Sequence, residues 1–276
     1  MFKGFYTAAA GMLSQQRQTD LLTNNIANAN TLGFKADQGT LKAFPDMLLQ
    51  RMESEDLPTD RSISVQNKKE IGTINTGVYM QETVPNFTQG DLQQTSQSTD
   101  IALMEQNMPT KEGGLFFVVQ SPDNTPQYTR NSNFTLDLDQ QGFLTTSTGA
   151  YVLNTNNQPI QLKSENFTVD SQGNVTENNQ QVAQIDIAYA SDLQTIKKAG
   201  NGLYETLNNQ PLPSARNNPG ISYQLKQGFV ERSNVDAAQS MTDLLTAYRA
   251  FEANQKIMQA YDRSMDKAAN EIGRVR

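Results

Sequence analysis

The sequence has 276 residues, of which 36% are hydrophobic and 18% charged, so much of its surface must carry neutral polar side chains. The formal net charge is −7 and there is no dense run of lysine and arginine, which argues against nucleic-acid binding. Cysteine, histidine and tryptophan are absent, which excludes disulfides, thiolate nucleophiles, imidazole bases and the usual zinc or iron ligands.

The N-terminus shows no conventional targeting signal. No apolar run approaches the roughly 20 residues that a membrane-spanning helix needs. The opening MFKGFYTAAAGML gives way to SQQRQTD before a convincing cleavage site. If the protein leaves the cytoplasm, we expect another route of export than a cleaved signal peptide.

The first predicted element is a long helix from Phe5 to about Ala29. Its apolar and small residues recur at alternating intervals of three and four, as Phe5, Ala8, Met12, Thr19, Leu22, Ile26 and Ala29, with Gln15 as a polar exception. Gly33 supplies a plausible stop. The apolar stripe is too narrow for a helix that is stable alone, so the helix needs a partner.

Asparagines crowd the end of this helix, in NNIANANT at 24–31. A helical wheel places Asn24, Asn25 and Asn28 on the side opposite Leu22, Ile26 and Ala29. We predict that these amides bond to a neighbouring subunit and set its register. The alternative is that the stretch frays the helix and NTLGF forms a turn, and both interpretations stay open for Asn30.

Residues 41–84 are predicted to form a connector. The stretch LKAFPDMLLQRM is compatible with a short helix broken by Pro45, and ESEDLPTDRSISVQNKKEIGTINTG is polar and turn-rich. The sequence therefore predicts a mobile link between the first helix and the next domain.

A strand-like period extends from about Val84 to Gly228. Examples are LFFVVQ at 115–120, NFTLDLD at 133–139, AYVLN at 150–154 and AQIDIAYA at 183–190. Asp139 and Asp170 each open an Asp-x-x-Gly unit, which predicts a hairpin corner because Gly accepts positive φ. This region is predicted to be an all-β domain, 85–230.

The stretch DLDQQG also half-matches a calcium loop, with Asp137, Asp139 and Gly142 in place. Gln141 fills an acidic position, and Thr148 stands where the bidentate Glu belongs. The sequence therefore favours a turn, and we predict no metal and no cofactor.

The strongest pattern in the sequence predicts a second long helix from Asn234 to about Ile272. One row of residues is spaced seven apart: Leu244, Phe251, Met258, Met265 and Ile272. Ala247, Tyr261 and Ala268 follow three of them at a distance of three residues, and Asn254 breaks this second row. A sustained seven-residue repeat predicts a coiled-coil-like seam. The alternative is that the helix packs on its own β domain.

The ends of this helix carry suitable charges. Asn234 or Asp236 is predicted to cap its start, and Arg274 and Arg276 suit the negative end of its dipole.

Two helices with narrow apolar seams, one at each end of the chain, predict that subunits assemble through these helices. Their best partners are each other and the same helices of neighbouring subunits, and a seam used head-to-tail without closure generates a filament or tube. The predicted segments are 1–40 (N-terminal assembly helix), 41–84 (connector), 85–230 (β domain) and 231–276 (C-terminal assembly helix). The predicted assembly residues are Met12, Leu22, Asn24, Asn25, Ile26, Asn28 and Ala29 near the N-terminus, and Leu244, Tyr248, Phe251, Met258, Tyr261, Met265 and Ile272 near the C-terminus.

Motifs at both ends resemble those of one family. NNIANANTLGFK at 24–35 and QGFVERSNVDAAQSMTDLLTAYRAFEANQKIMQAYD at 227–262 resemble the N- and C-terminal signatures of the flagellar hook and basal-body rod family. GGLFFVV, YTRNSNFTLD and QGFLTTSTGAYVL are similar to its β-domain motifs. Two stretches depart from the family pattern: IALMEQNMPTKEGGLFFVV carries extra residues, and GAY at 149–151 replaces the commoner Asp-Gly-Tyr.

The resemblance implies a mixed α and β protein that polymerises through its terminal helices, with no active site. It implies a structural axial component of the bacterial flagellum, most like a distal rod protein, which transmits torque. It also implies export by the flagellar type III apparatus without a cleaved signal, terminal helices that order on assembly, and partners that are copies of itself and other rod or hook proteins.

Three other functions stay open at this point. One is a hook or hook-like segment protein, and another is a secreted glycan-binding β domain with oligomerising helices. The third is a paired-carboxylate hydrolase, for which the candidates are Asp123, Asp137, Asp139, Asp170 and Asp186. Solvated turn positions are the default for such aspartates, so an enzyme is not predicted.

Overall fold

The computed structural model describes residues 2–57, 63–110, 113–121, 125–137, 142–208 and 210–272. It contains the two predicted long helices, α1 (Phe2–Ala27) and α2 (Ala237–Lys267), and α2 continues as a π-helix through Ala268–Ile272. The prediction of one N-terminal and one C-terminal helix around a large β region is confirmed. Helix α1 ends two residues earlier than the spacing predicts.

The strands between the helices are β1 (Asp37–Ala43), β2 (Met47–Leu57), β3 (Ile63–Ile74), β4 (Val78–Pro85), β5 (Leu92–Gln94), β6 (Ile101–Asn107), β7 (Gly114–Gln120), β8 (Pro126–Thr129), β9 (Phe134–Asp137), β10 (Phe143–Thr146), β11 (Tyr151–Val152), β12 (Phe167–Val169), β13 (Asn174–Glu177), β14 (Gln180–Gln184), β15 (Ile187–Ala190), β16 (Ile196–Gly200), β17 (Leu203–Thr206), β18 (Ser222–Gln227) and β19 (Phe229–Glu231). Short 3-10 turns occupy Leu193–Thr195 and Ala215–Asn217.

The chain divides into two compact units. The terminal unit comprises Met1–Asn24, Asp37–Val84 and Ala238–Arg276, and the central unit comprises Asn25–Ala36 and Pro85–Ala237. Among the described residues, no helix is both long enough and apolar enough to cross a membrane.

In the terminal unit, two antiparallel strand pairs accompany the helices. Strand β1 pairs with β4, and β2 pairs with β3 from Met47 opposite Ile74 to Leu57 opposite Ile63. The prediction of a short helix broken by Pro45 is therefore wrong, because Pro45 lies between two strands. The sequence of β2 and β3 is largely polar, so no hydrophobic alternation distinguishes this ribbon from a loop.

The central unit is all-β, as predicted. Its main sheet has the order β16-β17-β8-β7-β11-β10-β9, and β15 also pairs with β7. Strand β7 supplies the middle of the core because all its residues up to Val119 are buried. On one of its faces Leu115, Phe117 and Val119 join the larger core cluster, and on the other Phe116 packs in a second cluster.

The predicted hairpin corner at Asp170 is confirmed. The Asp170 carboxylate accepts hydrogen bonds from the backbone N–H of Gln172 and Asn174, both at 2.9 Å, and Gly173 has φ of 86°. At the other Asp-x-x-Gly unit, Gly142 has φ of 78°, while Asp139 lies outside the described residues.

Candidate assembly site

Helices α1 and α2 pack against each other in the terminal unit. A Cβ atom added at Gly4 would overlap the Tyr261 hydroxyl, and one added at Gly11 would lie 3.0 Å from the Asn254 Nδ2 atom. The second contact is seven residues later in α1 and seven earlier in α2, so the helices run antiparallel with a heptad step. The glycines allow close approach where the second helix presents its larger side chains.

Further along the pair, an apolar cluster joins both helices to β4. Leu21 and Leu22 of α1, Met80 of β4 and Ala247 of α2 are buried together, and Leu244 packs against them. These buried apolar side chains pack both helices against β4, which pairs with β1.

Polar contacts fix α1 on β4 as well. The Ser14 hydroxyl donates to the Val78 carbonyl at 2.8 Å, and Arg17 donates to the Met80 carbonyl at 3.3 Å. Both acceptors are main-chain atoms of β4, so the contact fixes the position of α1 along the strand.

The predicted assembly residues occupy different environments. Leu22, Leu244 and Tyr261 lie in the α1–α2 contact. The others with a described side chain are half-buried (Met12, Ile26, Asn28, Ala29, Phe251, Met258 and Met265), exposed (Asn24 and Tyr248) or buried (Asn25). The side chain of Ile272, like Arg274 and Arg276, lies outside the described part of the structure.

The three asparagines do not form one exposed face. Asn25 is only 4% exposed, whereas Asn24 is exposed at the last turns of α1. Asn28 follows the helix, where its N–H donates to the Asn25 carbonyl at 3.1 Å and its side-chain oxygen accepts from the Thr31 hydroxyl at 3.1 Å. The helical placement of Asn28 is therefore wrong, because α1 ends at Ala27. The roles of Asn24, Asn25 and Asn28 in setting subunit register stay predictions.

The central unit holds a buried charge cluster formed by Lys35, Arg130, Glu231 and Glu105. One Glu231 oxygen accepts from the Lys35 ammonium at 2.7 Å, and the other accepts from Arg130 at 2.9 Å. Arg130 also pairs with Glu105 at 2.7 Å. The side chains of Lys35, Arg130 and Glu231 are almost fully buried, so water does little to screen the attraction between these charges.

The backbone around this cluster is built for close approach. Gly33 donates its N–H to the Glu231 carbonyl at 2.9 Å, and Gly90 donates its N–H to the Glu231 carboxylate at 3.0 Å. Gly33 has φ of 67°, and a side chain there would lie 2.6 Å from the Arg130 carbonyl. A side chain at Gly90 would overlap the carbonyl of Arg232. Both positions therefore require glycine.

Asn234 joins the same segments through its side chain. Its amide oxygen accepts from the Ala36 N–H at 2.8 Å, and its NH₂ group donates to the carbonyls of Asn86 and Thr88 at 2.8 and 3.0 Å. The prediction that Asn234 caps α2 is wrong, because its side chain is used in these contacts. Asp236 directly precedes the helix and stays the candidate cap.

Electrostatics favour the charged form of the carboxylate. Burial raises the pKa of Glu231, but the Arg130 and Lys35 cations beside it outweigh burial and hold that pKa below its ordinary value. Burial and the nearby Arg130 lower the pKa of the Lys35 ammonium, despite the attraction of Glu231. Glu231 is therefore the member on which the cluster depends, since two buried cations share it.

The buried charge cluster and Asn234 join the segment that follows α1 to the segment that precedes α2. Segment 33–36 follows α1, and segment 231–234 precedes α2, and both are bonded to each other and to residues 86–90. Sequence reasoning missed this arrangement, because its charges are distant in the chain and charged side chains are normally solvated. The only local signal was a charged residue directly after an apolar one, in Gly-Phe-Lys and Phe-Val-Glu.

The described residues show no arrangement for metal chemistry. They include no group of three or more Asp, Glu, His or Cys side chains able to hold a metal ion. Among the hydrolase candidates, Asp170 serves a turn and Asp186 accepts from the Ser214 hydroxyl at 2.8 Å, while Asp123 and Asp139 lie outside the described residues.

Family models match three regions of the chain. Residues 5–35 match the model described as flagella basal body rod protein, and residues 112–177 match the flagellar hook protein FlgE/F/G D1 domain. Residues 226–271 match the flagellar basal body rod FlgEFG protein C-terminal model. The two terminal matches contain α1 from residue 5 onward, the segments of the buried charge cluster at 33–35 and 231, and α2.

Full-length relatives agree with these models. The chain is 49% identical over 280 residues to the flagellar hook-basal body complex protein FlhO of Bacillus subtilis (strain 168), covering 100% of both chains. It is 31% identical to the flagellar basal-body rod protein FlgG of the same organism, covering 98% of this chain and 99% of the relative. It is 29% identical to the flagellar basal-body rod protein FlgF of Caulobacter vibrioides, covering 100% of both. The chain belongs to the flagellar hook and basal-body rod protein family, and is a structural axial component of the flagellum rather than an enzyme.

Proposed function

We propose that this protein polymerises through α1 and α2 into the distal rod, the tube that transmits torque from motor to hook. In this assembly the helices of many subunits form a coiled-coil-like layer. The subunits reach the assembly through the flagellar type III export apparatus without a cleaved signal peptide.

The antiparallel α1–α2 pair is the observation that carries this proposal. Its heptad step, from the Gly4–Tyr261 contact to the Gly11–Asn254 contact, is the spacing that lets helices continue to interlock in a layer. Both helices also keep large exposed apolar side chains, including Leu13 in α1. Exposed apolar surface on a structural protein of this family supports burial against further subunits.

The buried charge cluster supports the mechanical part of the proposal. A rod subunit must pass torque between its helices and the rest of the chain without yielding. Segments 33–36 and 231–234 lead to α1 and α2, and the Lys35–Glu231 pair bonds them to each other inside the central unit. A force that pulls these two segments apart is therefore resisted by buried ion pairs and hydrogen bonds within the central unit.

Electron microscopy of the purified full-length chain at high concentration tests the proposal, with and without a rod protein of the same organism. We expect straight tubes from the parent. Ala247→Asp places a carboxylate in the buried α1–α2 contact and should abolish them, whereas Thr246→Asp changes an exposed neighbour and should not.

Three results would count against the proposal. A parent chain that forms no tubes in either mixture lacks the assembly function. Tubes from Ala247→Asp as abundant as those of the parent would show that the α1–α2 contact is not required. Curved, bendable tubes would favour a hook-like segment over a rod.

A further inference from the structure

Each long helix has a second apolar stripe that the α1–α2 contact does not use. On α1 the stripe runs through Lys3, Tyr6, Ala10 and Leu13, with intervals of three, four and three. Tyr6 and Leu13 are 62% and 52% exposed, and both lie on the opposite side of α1 from Gly4 and Gly11. This outer stripe has the spacing of a helix–helix seam but covers no described residue of α2.

The α1 stripe forms one wall of a groove. Phe44 and Met47, from either side of the turn between β1 and β2, form the other wall, and the groove has a volume of about 480 Å³. Both of these side chains are also exposed. The groove is therefore an open apolar trough at the N-terminal end of α1, with Lys3 as its charged member.

The stripe on α2 runs through Met241, Leu245, Tyr248 and Glu252, with intervals of four, three and four. Its three apolar members are 61%, 57% and 52% exposed, in chain order. They point away from the side on which Ala247 meets α1. Helix α2 thus presents a ridge of three large apolar side chains that ends in a carboxylate.

The groove and the ridge lie at opposite ends of the helix pair. The Gly4–Tyr261 and Gly11–Asn254 contacts place the centre of the groove alongside residue 257 of α2, about ten residues from the centre of the ridge at residues 246–247. At 1.5 Å per residue the two patches are separated by about 15 Å along the axis. Complementary patches at different levels pair between copies that are shifted along the axis, which gives open head-to-tail growth rather than a closed dimer.

We propose that the groove of one copy receives the ridge of a second copy, with the two helices antiparallel. The antiparallel direction follows from the charges, because it sets Lys3 against Glu252 and Leu13 against Met241. The parallel direction would bring Glu252 to the apolar end of the groove beside Leu13. This inference rests on the proposed function, to which it adds the surfaces that meet and their direction.

Disulfide mapping tests the contact directly because the chain has no cysteine of its own. Chains carrying Leu13→Cys are mixed with chains carrying Met241→Cys, assembled, and oxidised. We expect a covalent dimer that reducing agent reverses, since a disulfide forms only where Cβ atoms come within roughly 3.5–4.5 Å. Circular dichroism of each single variant checks that replacing an exposed side chain leaves the fold unchanged.

Matched mixtures make the result specific. Thr246→Cys replaces an exposed residue on another side of α2 and should give no covalent dimer with Leu13→Cys. A dimer with Glu252→Cys in place of Met241→Cys would overturn the antiparallel direction. A dimer of Leu13→Cys with itself alone would overturn the head-to-tail contact in favour of a closed pair.

The controls separate this inference from the function on which it rests. Tubes that form without any 13–241 disulfide overturn the groove-and-ridge contact and leave rod assembly standing. A parent chain that never assembles, with or without a rod protein, overturns both.

Discussion

Replacing Glu231 with glutamine should sharply destabilise the central unit although the side chain keeps its shape. One Glu231 oxygen accepts from Lys35 and from the Gly90 N–H, and the other accepts from Arg130. A glutamine must turn its NH₂ group toward one of these sets of donors, so at least one hydrogen bond becomes a donor–donor contact. Lys35 and Arg130 would then remain as two buried cations, with Glu105 as the nearest carboxylate partner.

The expected cost follows from the loss of a buried charge partner. Removing one member of a buried ion pair costs about 3–5 kcal/mol, because the remaining charge stays buried without compensation. Glu231→Gln should fall in this range. Lys35→Met should cost less, because Glu231 keeps Arg130 and because burial already disfavours the Lys35 charge.

Native-state hydrogen exchange of β7 is the suitable assay, since its amides report on the core of the central unit. We expect exchange protection in Glu231→Gln to fall by roughly 100- to 3,000-fold, the equivalent of 3–5 kcal/mol at tenfold per 1.4 kcal/mol. Glu205→Gln is the matched control, because Glu205 makes the same kind of pair with Lys197 at 2.9 Å on the surface. That exposed pair should contribute about 0–1 kcal/mol.

The test is the order of the three variants in their loss of exchange protection. The reasoning predicts the largest loss for Glu231→Gln, a smaller one for Lys35→Met and almost none for Glu205→Gln. Equal protection in Glu231→Gln and Glu205→Gln would refute the claim that the buried charge cluster holds the central unit together.

Three further predictions concern the same unit and its turns, and urea denaturation followed by circular dichroism measures each. The folded-state pKa of Glu231 lies below its ordinary value of 4.5, so the stabilisation by Glu231 is complete above pH 4.5 and is lost as the pH falls through the folded-state pKa. The urea midpoint of the parent should therefore fall more steeply in acid than the urea midpoint of Glu231→Gln. Parallel curves of urea midpoint against pH would contradict this prediction. Gly33→Ala should cost more than Gly149→Ala, because both glycines have positive φ but only a side chain at Gly33 would meet backbone atoms; equal losses would mean that the overlap relaxes. Asn234→Ala leaves the Ala36 N–H without its acceptor and should cost about 1–3 kcal/mol, whereas Asp170→Ala, at an exposed turn, should cost less; the reverse order would contradict the role of Asn234.

Much of the secondary structure follows from periodicity alone. The seven-residue row from Leu244 to Met265 predicts α2, and the apolar run at 115–120 predicts the buried strand β7. In α2 one face is buried and in β7 both faces are, so in each segment the sequence pattern agrees with the packing. The β2–β3 ribbon was missed for the opposite reason, because its residues are mostly polar and its pairing leaves no hydrophobic period.

The sites were harder to predict than the elements. The cluster of Lys35, Arg130 and Glu231 joins residues up to 196 positions apart, and pairing at that distance has no local signature. Asn254 shows a different limit. It breaks an apolar row in the sequence, yet it lies against Gly11, where a second helix approaches closely. Its position becomes understandable only once both helices are placed.

Hydrogen exchange of α1 and α2, compared between the free chain and the assembled tube, tests the central claim most directly. Assembly through these helices predicts that residues 2–24 and 238–267 are more strongly protected from exchange in the tubes than in the free chain, whereas β7 is protected equally in both. Equal protection of both helices in the free chain and in the tubes would contradict the account, because the tubes would then form without new contacts to the helices.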